Sequence, residues 1–192
     1  MLNAPKSQPR VLPPEGTHIA RCIGLIQVGT IETPFGMSNK IRLTWELPEE
    51  VREFKVGDGE KPFTISQKYT LSLADKSNLL PIVEGMMGFI PEDVRESFNV
   101  EDLVGVASLL TIKYDETRKG VKFAGVATTS PLMKNQKAPA QVNPSKILTY
   151  EKWEQTYFDS LPDFIKDEMK SSVEYKAKFE SEEVVDGDSV PF

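Results

Sequence analysis

The chain holds one cysteine and one histidine among its 192 residues. Cys22 has no partner for an intramolecular disulfide, which fits a reducing compartment, and reads as a small buried side chain in a strand. A zinc site built from cysteine and histidine needs more ligands than Cys22 and His18 supply. A catalytic pair of the two fails on geometry: four residues apart in one strand, they share a face but stand about 13 Å apart. No run of roughly 18 apolar residues occurs, so no helical membrane span is expected. The segment Met1 to Pro14 is polar and proline-rich, without the apolar stretch of a signal peptide, and a cytoplasmic location is expected. A Gly-x4-Gly-Lys phosphate loop is absent. The carboxylate pairs Glu49-Glu50, Glu92-Asp93 and Glu101-Asp102 fall in loops or short helices and read as solvated surface. No cofactor or resident metal is expected.

What is present suits one globular domain with an appendage: 39% hydrophobic and 27% charged residues. The net charge of −6 is unevenly placed. Residues 1–150 carry a net of +1 and residues 151–192 a net of −7. The acidity belongs to the C-terminal segment, so the overall balance does not exclude an anionic ligand on the body.

Pro13-Pro14-Glu15-Gly16 signals a turn. Thr17 to Val28 reads as a long strand, and Gly24 in its middle predicts a bend or bulge. After the turn Thr33-Pro34-Phe35-Gly36, Lys40 to Leu47 alternates: Ile41, Leu43, Trp45 and Leu47 on one face, Lys40, Arg42, Thr44 and Glu46 on the other. Pro48 to Lys61 reads as a charged loop. Phe63 to Leu73 alternates again, with Gln67 the one polar residue on the apolar face. Ser77 is a candidate N-cap for a helix carrying Leu79, Leu80, Ile82, Val83, Met86 and Met87, with Pro81 in its first turn and Gly88 closing it. A second short helix is expected within Pro91 to Ser97. Val106 to Tyr114 and Val121 to Thr128 are strands joined by a hairpin.

Three strands, a helix and two strands is the element order of a five-stranded OB barrel, with the helix between strands three and four. The fold class is therefore mainly β. The expected organisation is an N-terminal arm (1–16), the barrel (17–133), a linker (134–146), a helical extension (147–178) and an acidic tail (179–192). In the extension, Ser160-Leu161-Pro162-Asp163 reads as a helix cap. Leu161, Phe164, Ile165 and Met169 form an apolar stripe suited to packing on the barrel or on a neighbouring subunit.

Two constellations carry candidate function. On the polar face of strands two and three, Lys40, Arg42 and Thr44 neighbour Ser66, Lys68 and Thr70, while Lys113, Arg118, Lys119 and Lys122 come from the last hairpin. Single-strand recognition on an OB barrel needs cations along the phosphates and flat side chains under the bases. Candidate stacking residues are Phe35, Phe123, Trp45 and Tyr69, although parity puts Trp45 and Tyr69 on the apolar face, where core packing is the default. The second constellation is the C-terminus. Carboxylates including Asp186 and Asp188 lead into Val190-Pro191-Phe192, a ring beside a free carboxylate that an apolar pocket with a basic lip would hold.

The end Asp186-Gly187-Asp188-Ser189-Val190-Pro191-Phe192 resembles the acidic tail of bacterial single-stranded DNA-binding proteins, which closes on acidic residues, a small apolar residue, Pro and Phe. Here Gly187 and Ser189 interrupt the acidic run. The body is more similar to phage-encoded single-stranded DNA-binding proteins of the OB type. That likeness rests on Pro14-Glu15-Gly16-Thr17-His18, Trp45-Glu46-Leu47-Pro48, Lys68-Tyr69-Thr70-Leu71-Ser72-Leu73 with Lys76-Ser77-Asn78-Leu79, and Ser160-Leu161-Pro162 with Ser172 to Tyr175. The resemblance implies non-catalytic, sequence-tolerant binding of single-stranded DNA in phage replication or recombination, in the cytoplasm of an infected bacterium. It further implies recruitment of replication or repair proteins through Asp186, Asp188, Val190, Pro191 and Phe192. It does not specify an oligomeric state. Two alternatives stand beside it: a protein-interaction adaptor that binds no DNA, and a metal-dependent nuclease whose carboxylates the fold would bring together.

Overall fold

The computed structural model describes residues 11–180. Three strands, β1 (Gly16–Thr33), β2 (Gly36–Glu53) and β3 (Glu60–Thr70), are followed by helices α1 (Leu80–Met87) and α2 (Glu92–Arg95). One 3-10 turn (Val100–Leu103) leads to β4 (Ala107–Glu116) and β5 (Lys122–Ser130). These five strands form a strongly curled antiparallel sheet, a half-barrel in the order β3-β2-β1-β4-β5. A short strand, β6 (Lys146–Leu148), then pairs in parallel with β1, ahead of α3 (Gln155–Ser160), α4 (Asp163–Ser171) and α5 (Val173–Phe179).

Strand β1 serves two cores because its register shifts twice. Ala20 and Cys22 point into the half-barrel; after the shift between Cys22 and Gly24 the inward residue is Leu25. Each extra residue in a bulged strand reverses which parity faces inward. Ile26 and Val28 therefore point outward, and the second shift, between Gln27 and Gly29, lets Ile31 join them. Gly24 sits at the first shift as its sequence position implied. Ile41, Leu43, Trp45 and Leu47 of β2 and Phe63, Ile65 and Tyr69 of β3 fill the barrel as their alternation required. Burial pushes the Cys22 thiol up to about 12, which keeps it protonated and unreactive.

Helix α1 closes one end of this core with Leu79, Ile82, Val83 and Met86. Ser77 Oγ accepts from the Leu79 and Leu80 amides at 3.2 and 3.1 Å, and Pro81 lies in the first turn. The helix packs so closely on β5 that a Cβ at Gly85 would lie 2.2 Å from the Thr129 carbonyl oxygen. The Thr129 hydroxyl donates to the Ile82 carbonyl at 2.7 Å.

Several local expectations are corrected. Most of Pro48 to Lys61 is a two-stranded ribbon, not a loop: beyond an irregularity after Leu47, Val51 pairs with Pro62 and Glu53 with Glu60. Strand β3 stops at Thr70, and Leu71 and Leu73 pack against the core outside the strand. Ser160 does not cap α4; its hydroxyl donates to the Tyr157 carbonyl and closes α3.

The segment read as a linker, 134–146, is fastened to the barrel. Glu46, assigned by parity to the solvent face, is fully buried beneath it. Its carboxylate accepts from the Val142 and Asn143 amides at 2.8 and 2.9 Å and from the Asn143 side chain at 2.9 Å. Arg21 donates to the Pro139 carbonyl at 3.1 Å.

The C-terminal extension forms the second core. Leu148, Phe158, Leu161, Ile165 and Met169 bury the outward residues of β1. Helix α5 closes on the second bulge of β1. Ser172 caps the helix by accepting from the Tyr175 amide, and Glu174 accepts from the Thr30 amide and hydroxyl at 2.6 and 2.7 Å. Gly29 has φ +95, and a Cβ there would lie 2.7 Å from Glu174 Oε2. Burial raises the Glu174 pKa, but the bonds from Thr30 outweigh it and hold the carboxyl below its ordinary value. A carboxylate depressed in the folded state adds stability above its unfolded pKa, and that stability is lost as pH falls through the folded value. Acid is therefore expected to loosen α5 from β1. Trp153 meets Phe179 at a tilt and Tyr175 edge to face, with ring centroids 4.9 and 5.9 Å away. Its fluorescence should shift on acidification in the native chain, and the Glu174→Gln variant should lose that acid step.

Candidate nucleic-acid interface

The half-barrel is open along the seam between β3 and β5. No backbone ladder joins these strands. One side chain bridges them: Gln67 Oε1 accepts from the Val126 amide at 2.7 Å and its Nε2 donates to the Val126 carbonyl at 3.4 Å. Gln67 thus takes the place of a strand neighbour, satisfying both backbone groups of Val126. This explains the polar residue on the apolar face of β3. Gly125, beside Val126, leaves the seam uncovered by any side chain of its own.

Two clefts adjoin along this seam. One, of about 500 Å³, has Arg42, Lys68 and Lys113 as its cations, Tyr114 and Phe123 as its rings, and Asp115 on its wall. The other, of about 740 Å³, is lined by Lys61, Phe54 and Phe164 together with Arg42. Arg42, Ser66 and Ala124 line both, so the clefts meet at the middle of β3. Phe123 is 42% exposed, Tyr114 37% and Phe164 55%, each with a free surface at the groove. From Lys61 to Lys68 an extended strand spans roughly 24 Å.

At the meeting point, Arg42 and Lys68 share a carboxylate. Lys68 Nζ lies 2.5 Å from Glu168 Oε1 and Arg42 Nη2 lies 3.8 Å from Glu168 Oε2. The Arg42 guanidinium also lies 5.4 Å from the Phe164 ring centroid. Burial pushes the Arg42 pKa down from its ordinary value, and Glu168 opposes that shift.

The structure brings four of the sequence candidates together: Arg42, Lys68, Lys113 and Phe123. Lys40 donates to the Thr70 hydroxyl at 2.6 Å and lines neither cleft. Arg118, Lys119 and Lys122 are exposed on or beside the β4–β5 turn, also outside the clefts. Phe35 is wholly exposed at the tip of the β1–β2 hairpin and lines neither. Trp45 and Tyr69 are corrected as stacking candidates. They are 0% and 5% exposed and meet edge to face inside the barrel with centroids 6.4 Å apart, so neither ring can receive a base. Asp186, Asp188, Val190, Pro191 and Phe192 lie outside the described residues.

Sequence reasoning missed Tyr114, Phe54 and Lys61, and left Phe164 in a packing stripe. Leu161, Ile165 and Met169 of that stripe are buried, while Phe164 stands at its edge over Arg42. The signal for Tyr114 was its place beside Lys113 at the end of a strand, mirroring Lys122-Phe123 on the next.

The carboxylate pairs stay apart. Glu50 lies 3.0 Å from the His18 ring, Glu101 pairs with Lys152, and Glu92 and Asp93 are exposed on α2. Among the described residues, no three side chains of histidine, cysteine, aspartate or glutamate are grouped to hold a metal ion, and no helix is long and apolar enough to cross a membrane. Comparison with known proteins finds no matching family model and no matching curated protein.

Proposed function

We propose that this chain binds single-stranded DNA along the open seam of an OB-type barrel. The observation that carries the reading is the interleaving of cations and exposed rings along one groove. Lys113, Lys68, Arg42 and Lys61 succeed one another beside Phe123, Tyr114, Phe164 and Phe54. Stacking accepts any base, because every base has a π-face, while cations follow the phosphates. The binding is therefore sequence-tolerant. A groove of roughly 24 Å suits the low end of the ~4–16 nucleotides that one OB fold holds. The OB assignment is supported by the element order and by the position of α1 between β3 and β4. Across the open seam, Gln67 bridges β3 and β5 where a closed barrel would have a ladder. A role in phage replication or recombination, with partner proteins held by Asp186, Asp188, Val190, Pro191 and Phe192, rests on the sequence resemblance.

Fluorescence anisotropy of a labelled oligothymidylate, with a duplex of equal length as control, tests this reading. Tight binding of the single strand, weak binding of the duplex and a falling log K with log salt are expected. Equal binding of both, or binding without salt dependence, contradicts it. Silence toward both would favour the adaptor reading, and Mg²⁺-dependent cleavage of the oligonucleotide would favour the nuclease.

A further inference from the structure

The two cations where the clefts meet already hold an anion from the protein itself. Glu168 reaches Lys68 at 2.5 Å and Arg42 at 3.8 Å from α4, a helix that its other face fixes to β1. Ile165 and Met169, four residues apart, are its buried stripe, continued by Leu161 just ahead of the helix. Phe164 and Glu168, also four apart, form the flank beside that stripe. The flank presents a ring and a carboxylate to Arg42 and Lys68, the chemistry that a base and its phosphate would present to the same pair.

Such a contact is not needed to hold α4 in place. The helix is anchored by two buried apolar side chains, Ile165 and Met169, with Leu161 buried just ahead of it, and the next helix is tied to β1 through Glu174. Glu168 is 28% exposed and Lys68 32%, whereas Arg42 is 12% exposed and Glu168 Oε2 beside it is buried, so a ligand reaches the cluster from its Lys68 side. A strand that follows β3 must pass this point, since Arg42 and Ser66 wall both clefts.

We propose that Glu168 is a built-in stand-in for phosphate, occupying the central seat of the groove until a nucleic-acid strand displaces it. The proposal rests on the single-strand reading above. An arriving phosphate takes over Lys68 and Arg42, and Glu168 swings to solvent. Displacement moves no backbone, because the carboxylate is the far end of a flexible side chain. The device sets affinity below what the cations alone would give, and it discriminates against weakly charged or short ligands that cannot compete with the resident anion.

The test compares full-length chain, Glu168→Gln and Asp167→Asn in anisotropy titrations with labelled oligothymidylate over a salt series. Asp167 is exposed on the same helix and removes the same charge away from the cations. Glu168→Gln is expected to tighten binding about tenfold at low salt, and to steepen the log–log salt dependence by about 0.7 for each cation released. Asp167→Asn should change affinity by less than about twofold, as for an exposed charge screened by salt. In a Lys68→Gln background, the gain from Glu168→Gln should shrink. Glu168→Ala serves as a second variant if the amide disturbs folding, judged by its thermal melt. A wild-type chain that binds while Glu168→Gln binds equally or more weakly overturns this proposal alone, as does an equal gain from Asp167→Asn. Absence of binding by every variant overturns the single-strand reading and this inference with it.

Discussion

Replacing Phe123 with alanine is expected to weaken single-strand binding by about 1–3 kcal/mol, roughly five- to 150-fold. The ring stands at the start of β5, opposite Asp115 on β4, with 42% of its surface exposed at the seam. It packs in neither hydrophobic core, so its removal should leave the melting temperature nearly unchanged. The loss should be equal at low and high salt, because a phenyl ring releases no counterions. Lys113→Ala should behave in the opposite way, with a modest loss at low salt and a salt slope shallower by about 0.7. Phe35→Ala removes a fully exposed ring that lines neither cleft and should change affinity little if the seam is the site. Anisotropy titrations at three or more salt concentrations separate these outcomes. A Phe123→Ala variant that binds like the native chain would remove the ring from the account.

The largest effect on stability is expected from Glu46→Ala. This carboxylate is fully buried and holds three N–H donors of Val142 and Asn143. Hydrogen bonds to a charged group contribute about 1.5–3 kcal/mol each, and stranded donors add their own desolvation cost. Alanine should cost about 3 kcal/mol or more, a large part of the ~5–15 kcal/mol typical of a folded domain. Urea denaturation would show the midpoint falling. Limited proteolysis should then cut first within 134–145, the segment that Glu46 holds down. Glu46→Gln, which keeps the shape but offers one acceptor oxygen, should fall between the two. A midpoint unchanged in the alanine variant would mean that the segment is held by other contacts, such as the Arg21 bond to Pro139.

The strands of the sheet were legible because β2 alternates from Lys40 to Leu47 and β3 alternates from Phe63 to Thr70 with Gln67 its one exception. Their inward residues, Trp45 and Tyr69 included, went where parity placed them. Strand β1 was less legible. Two bulges reverse its parity; Gly24 was read as marking the first, whereas Gly29, which has φ +95 and leaves no room for a Cβ beside the distant Glu174 and Ser172, was not read as marking the second. Glu46 was misread because parity states which face a side chain takes, not whether a later segment will cover that face. Gln67 broke the pattern of β3, and the break marked the seam, but its partner Val126 is 59 residues away. The groove was half legible for a related reason. Its cations follow from strand alternation, whereas Phe164 and Glu168 reach it from a helix whose docking depends on the outward face of β1.

The most direct test of the seam as the binding site is a titration of the isotope-labelled chain with oligothymidylate, followed by backbone amide chemical shifts. The largest changes are expected at Ser66 to Lys68, Lys113 to Asp115, Phe123 to Ala127 and Phe164 to Glu168, with little change on α2. Shifts confined to the β1–β2 hairpin tip or to residues beyond 180, with β3 and β5 unmoved, would contradict it.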